Sequence, residues 1–221
     1  MTGSEPRPHD WSIDEREYAR HEARRGRRYA YEELDPVRTA LVVVDMVPFF
    51  TAARGVVPNV NALAAALREA GGTVAWVLPE VGPPSDWATG FYGSAVATVY
   101  AAAGGTGSLP ERLIPELDAR AHDVWAEKSA ASAFFPGRST LPASLAERNV
   151  DTVLITGTVT SVCCESTARD AATLGYRVVF VADGTADGWD RVQNATLRTI
   201  YRSFGDVRPT SDVLELISRR S

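Results

Sequence analysis

Apolar residues in this chain gather into a few unbroken, β-branched runs, separated by longer stretches in which they recur at helical spacing. The first run, "TALVVVDM", is continuous from Thr39 to Val44 and then meets an acid, Asp45. Unbroken runs mark strands covered on both faces, as in parallel sheets, whereas one-sided strands alternate. "PNVNALAAALREAGG" predicts a helix, with Pro58 near its start, Leu63, Ala66, Leu67 and Ala70 on one face, and Gly71-Gly72 as its stop. "TVAWVLPE" predicts the next strand, closed by Glu80. Residues 82–107 mix Pro, Gly and aromatics around "SAVATVYAAA", which predicts a helix, and a weaker strand is expected near "HDVWAE".

The clearest unit is "VDTVLITGTVTSVCCESTARDAATLGYRVVFVADG". It predicts a strand over 153–156, a helix over "CCESTARDAATLG" closed by Gly175, and a strand over 177–182, joined by a right-handed crossover. A helix over "DRVQNATLRTIYRSF", a short strand near "DVRP" and a helix opened by Thr210 or Ser211 follow. Alternation of strand and helix predicts a three-layer α/β/α fold, an open, mostly parallel, Rossmann-like sheet with helices on both faces. The polar residues 1–36 read as an N-terminal arm and 37–221 as the domain. Ligands bind outside the carboxyl ends of such strands. Asp45, Glu80, Lys128 and Cys163 each follow a predicted strand, so all four are expected on one edge.

Composition narrows the classes. With 221 residues, 45% of them hydrophobic, the chain can bury one sizeable core. A net charge of −5 argues against a nucleic-acid partner, and the basic cluster Arg24, Arg25, Arg27 and Arg28, close to Glu17 and Glu22, reads as a solvated helix face or a subunit contact. No apolar run reaches the roughly 18 residues needed to span a bilayer, so no membrane partner is expected. The N-terminal stretch has no apolar core of the signal-peptide type, and the only two cysteines are adjacent and cannot build a disulfide framework. Both features predict a cytoplasmic location. The partners expected are a small-molecule substrate and, from the arm, further copies of the chain in a homodimer or homotetramer.

The adjacent pair Cys163-Cys164 asks for an explanation beyond packing, although buried thiols often serve as apolar filler. Cys163 is predicted in the first turn of a helix, where unpaired amides and the macrodipole favour a thiolate, and Lys128 would add a positive charge. Asp45 could take the thiol proton during attack and return it to a leaving group.

From 37 to 210 the chain resembles the isochorismatase-like cysteine hydrolase family, in its amidohydrolase branch. "ALVVVDM" resembles the family's first strand with its terminal catalytic Asp, which implies that role for Asp45. "EKSAASAF" resembles its Lys motif and implies Lys128; "GTVTSVCCESTARDAATLGY" resembles its nucleophile motif and implies Cys163, leaving Cys164 where an aliphatic residue is usual. The resemblance further implies a cis peptide between Thr158 and Val159 and an oxyanion hole made by the amides of Val159 and Cys163. It implies hydrolysis of the C–N bond of a small amide, ureido or carbamoyl compound through a thioester acyl-enzyme, with no cofactor and no metal.

The sequence departs from the family where many members carry Gln and Asn after the catalytic Asp, since Val47 and Pro48 stand there. His9, His21 and His122 are the only histidines and none lies between the first two strands, which argues against the metal-dependent nicotinamidase branch. The arm resembles that of ureidoacrylate and carbamoyl-type amidohydrolases. Phe50, Trp87, Tyr92 and Thr160 are the candidate substrate contacts, with core or dimer packing as the competing role of the aromatics. Two other functions stay open: an isochorismatase acting on a vinyl ether, and a noncatalytic assembly or binding protein that keeps the fold.

Overall fold

The six predicted strands all form: β1 (Thr39–Val44), β2 (Thr73–Pro79), β3 (Val124–Lys128), β4 (Thr152–Thr158), β5 (Arg177–Ala186) and β6 (Asp206–Arg208). The computed structural model describes residues 7–219, so the first six residues of the arm and the last two of the 37–221 domain lie outside the described residues. All five strand pairs are parallel and the order is β3-β2-β1-β4-β5-β6. Every residue of β1 is buried because β1 is central: Ala40, Val42 and Val44 enter one apolar core and Leu41 and Val43 the other. β3 is an edge strand in which Trp125 and Glu127 are only half-buried, which explains its weaker apolar signal.

Helices cover both faces. α1 (Glu15–Arg25), α5 (Leu141–Ala146), α6 (Glu165–Thr173) and α7 (Asp190–Ser203) pack on one side, through Tyr18, Leu145, Ala168 and Leu197. α2 (Val57–Glu69) and α8 (Thr210–Ser218) pack on the other, through Leu63, Leu67, Val213 and Ile217. The stretch after β2 folds into a hairpin of two short helices, α3 (Asp86–Tyr92) and α4 (Ser94–Ala101), of which only Ala97 is buried.

Residues 7–31 pack on their own chain. Ser12 N–H donates to Asn194 Oδ1 at 2.8 Å, Tyr18 meets Tyr201 edge-on with centroids 4.9 Å apart, and the amides of Ala30 and Tyr31 donate to the two oxygens of Asp206 at 2.7 and 2.8 Å. The arginine cluster therefore does more than face solvent: Arg25 lies 3.6 Å from Asp206, and the Arg28 guanidinium stacks 3.6 Å over Tyr18. Among the described residues, no helix is long and apolar enough to cross a membrane.

Candidate active site

Asp45 follows the last residue of β1 and takes φ +51°, a left-handed conformation that Asp tolerates better than most residues. Its amide donates to Val77 O and its carbonyl accepts from Val47 N, both at 2.8 Å, so the residue is fixed from both sides. Beside it, Val44 pairs with Gly157 of β4. Gly157 has φ +110°, and a methyl group there would sit 2.1 Å from Val44 O. Only glycine lets the two central strands close up directly beneath Asp45.

β4 leads into the segment that carries Cys163. The Thr158–Val159 peptide is cis, as the resemblance implied. The predicted helix over "CCESTARDAATLG" opens differently from expectation, with a π-turn over Thr160–Cys164 ahead of α6. Val162 and Cys164 both donate to Val159 O, at 3.1 and 3.2 Å, and Ser161 N–H donates to Asp187 Oδ2 at 2.8 Å. None of these bonds consumes the amide of Val159 or Cys163. Cys164 is fully buried with its Sγ 3.8 Å from Thr156 O, whereas Cys163 is only partly covered. The second cysteine packs and the first faces the strand edge.

Lys128 closes β3 and reaches across that edge. Its Nζ is 2.8 Å from Asp45 Oδ2, 3.5 Å from Cys163 Sγ and 3.2 Å from Ala130 O. The loop after Lys128 is tied to α6, because Ala133 N–H donates to Thr167 Oγ1 at 3.1 Å while Phe134 fills the core. Asp45 Oδ1 is buried without a hydrogen-bond partner. The fourth residue expected on this edge, Glu80, is exposed, and its backbone amide donates to Lys128 O at 2.8 Å.

Burial raises the pKa of Asp45 against the pull of Lys128. Burial works against the Lys128 charge, but Asp45 and Cys163 outweigh it and hold the ammonium above its ordinary value. The sequence reading expected the helix start and Lys128 to depress the Cys163 thiol. Instead, burial and the neighbouring Asp45 charge overcome Lys128 and push it up to about 12. At rest the site holds a protonated thiol beside a carboxylate of raised proton affinity.

The candidate substrate contacts divide. Phe50 and Thr160 stand in the segments that follow Asp45 and precede Cys163, and Thr160 Oγ1 is buried with no partner. Trp87 and Tyr92 lie on the exposed hairpin, Trp87 with 67% of its surface open. A chain of ring contacts joins the two groups, from Trp87 to Tyr92 (5.7 Å), Tyr100 (5.2 Å), Phe49 (6.1 Å) and Phe50 (5.0 Å). Asp187 and His9, which also reach this edge, escaped the sequence reading because both act over long sequence separations. Among the described residues, no three His, Cys, Asp or Glu side chains are grouped as a metal site requires.

The model of the Isochorismatase domain matches residues 39–212. An uncharacterized isochorismatase family protein of Bacillus subtilis, YwoC, is 31% identical over 195 residues, covering 83% of this chain and 96% of that protein. The ureidoacrylate amidohydrolase RutB of Cronobacter sakazakii is 30% identical over 224 residues, covering 81% of this chain and 89% of its own length. Among solved structures, a cysteine hydrolase from Pseudomonas syringae pv. phaseolicola superposes with a TM-score of 0.75 at 28% identity, over 87% of this chain and 98% of that one.

Proposed function

Since this chain belongs to the isochorismatase family of hydrolases, we propose that it cleaves the C–N bond of a small ureido or carbamoyl compound through a thioester on Cys163. The observation that carries this reading is the meeting of Asp45, Lys128 and Cys163 from three separate strand ends within hydrogen-bonding reach of one ammonium. The likeness to a ureidoacrylate amidohydrolase supports the substrate class.

The reaction begins with a thiol, so proton transfer accompanies attack. Cys163 Sγ bonds to the substrate carbonyl carbon as its proton passes to Asp45, whose buried carboxylate is the stronger base for its burial. The amides of Val159 and Cys163, which the bonds to Val159 O and Asp187 Oδ2 do not use, receive the oxyanion. Asp45 then gives its proton to the departing nitrogen as the C–N bond breaks. Water, with Asp45 as base, adds to the thioester, and the thiol recovers its proton on release of the acid. Lys128 keeps its charge throughout and offsets the negative charge that moves between Asp45 and Cys163. No cofactor enters this scheme, and the partner it requires is a small-molecule substrate.

The test is ammonia release from a panel of ureido and carbamoyl compounds, ureidoacrylate included, with pyruvate release from isochorismate followed in parallel. Hydrolysis of a panel compound, abolished by Cys163→Ser with an acyl adduct on Cys163 in the wild type, supports the reading. Pyruvate formation that survives Cys163→Ser would overturn it in favour of vinyl-ether cleavage.

A further inference from the structure

The π-turn that carries Cys163 makes two of its amide bonds to Val159 O, but the amide of Ser161 is satisfied from outside, by Asp187 Oδ2 at 2.8 Å. Asp187 follows β5, is almost completely buried, and its Oδ1 accepts from Gly188 N–H at 2.7 Å. Its backbone is gripped in turn. The Asp187 amide lies 2.9 Å and the Asp187 carbonyl oxygen 3.0 Å from His9 Nε2, while Nδ1 of the imidazole is 2.6 Å from Asp190 Oδ1. Next to His9, the arm runs so close over the Thr51–Val56 turn that a methyl group on Gly55 would sit 2.5 Å from Arg7 O. Asn194 of α7 binds the far side of this segment, donating to Asp10 O at 3.1 Å.

We propose that Asp187 is the positioning residue of the nucleophile turn, and that the arm, through His9, sets Asp187 in place. The proposal rests on Cys163 being the nucleophile. Its action runs through the turn that carries the thiol, because Asp187 holds the Ser161 amide at 2.8 Å. A carboxylate fixed on the amide two residues before the nucleophile determines where the thiol sits relative to Asp45 and Lys128. The arm then belongs to the active site although none of its residues touches the reacting atoms.

The pH dependence of Cys163 alkylation by iodoacetamide, read by peptide mass spectrometry with buried Cys164 as internal reference, tests this without any substrate. In Asp187→Ala the turn loosens, Cys163 drifts from Asp45, and its apparent pKa falls from about 12 toward the ordinary thiol value of about 8.5. On the best ureido substrate, kcat falls at least about tenfold while KM changes less. Asp187→Asn keeps an oxygen for only one of the Ser161 and Gly188 amides and gives an intermediate effect, and His9→Ala gives a smaller shift in the same direction. A Cys163 profile and kcat in Asp187→Ala equal to wild type would overturn the proposal. If Asp187→Ala does not fold, a wild-type profile in His9→Ala overturns the arm's part and a shifted one sustains it. A wild-type protein that releases ammonia from none of the panel counts against the proposed function alone, because the thiol profile is independent of turnover.

Discussion

Lys128 Nζ and Asp45 Oδ2 stand 2.8 Å apart with side chains only 3% and 2% exposed, a salt bridge taken almost wholly out of water. Such a pair adds little to stability compared with apolar residues, yet removing one member strands the other charge. Lys128→Met should therefore destabilise the fold by about 3–5 kcal/mol in urea denaturation, and adding Asp45→Asn should recover much of that loss. An unchanged midpoint in the single variant would mean that the two charges are not buried together.

Burial, with the charge of Asp45 added and that of Lys128 opposed, sets the titration of Cys163. With the Cys163 proton held to about 12, the native chain keeps a proton that the unfolded chain releases at the ordinary thiol pKa of about 8.5. This contribution to stability is whole below the unfolded value and is lost as pH rises through the folded one. Wild type should thus lose stability on the alkaline side more steeply than Cys163→Ala. Alkylation profiles should move in opposite directions, to lower pH in Asp45→Asn and to higher pH in Lys128→Met.

Two glycines with positive φ separate crowding from conformation. Gly157→Ala places a methyl 2.1 Å from Val44 O at φ +110°, while Gly175, at φ +93°, has nothing within 4 Å. The first substitution should cost more than about 3 kcal/mol and abolish hydrolysis, the second only about 1–2 kcal/mol with activity retained. Denaturant midpoints for the two variants, measured side by side, decide it.

At the opposite edge of the sheet, Asp123 accepts from Arg68 at 2.6 Å, Trp76 Nε1 at 2.8 Å and the Arg120 amide at 2.8 Å. Burial alone would raise its pKa, but these donors outweigh it and hold the carboxyl below its ordinary value. Its contribution is present above the unfolded carboxyl pKa and lost as pH falls through the folded one. Asp123→Ala should cost about 1–3 kcal/mol, since Trp76 Nε1 loses its acceptor and buried Arg68 keeps only the half-exposed Asp118, and should lessen the acid sensitivity of unfolding. Activity per folded molecule should be unaffected.

Much of this architecture was legible because parallel strands buried on both faces read as continuous apolar runs, and because Asp45, Lys128 and Cys163 all sit where such strands end. The thiol's titration was not, since a helix start and a nearby lysine point one way while burial beside Asp45 drives it the other. β5 runs to Ala186, beyond the 177–182 run, and α5 is too short to show a helical period. The arm's path could not be read either: His9 meets Asp190 across 181 residues, and nothing local in "RPHDWS" announces a partner so distant.

That distance bears on how the protein is made. Synthesis runs from the N- to the C-terminal side, yet residues 7–31 find their berths on α7 and Asp206, segments made long after them. The strand carrying Asp45 and the turn carrying Cys163 can pair as soon as β4 is out, but His9 has nothing to grip until Asp187 and Asp190 follow. On the proposed role of Asp187, the turn that carries Cys163 gains the carboxylate that holds its Ser161 amide only after β5 has been made.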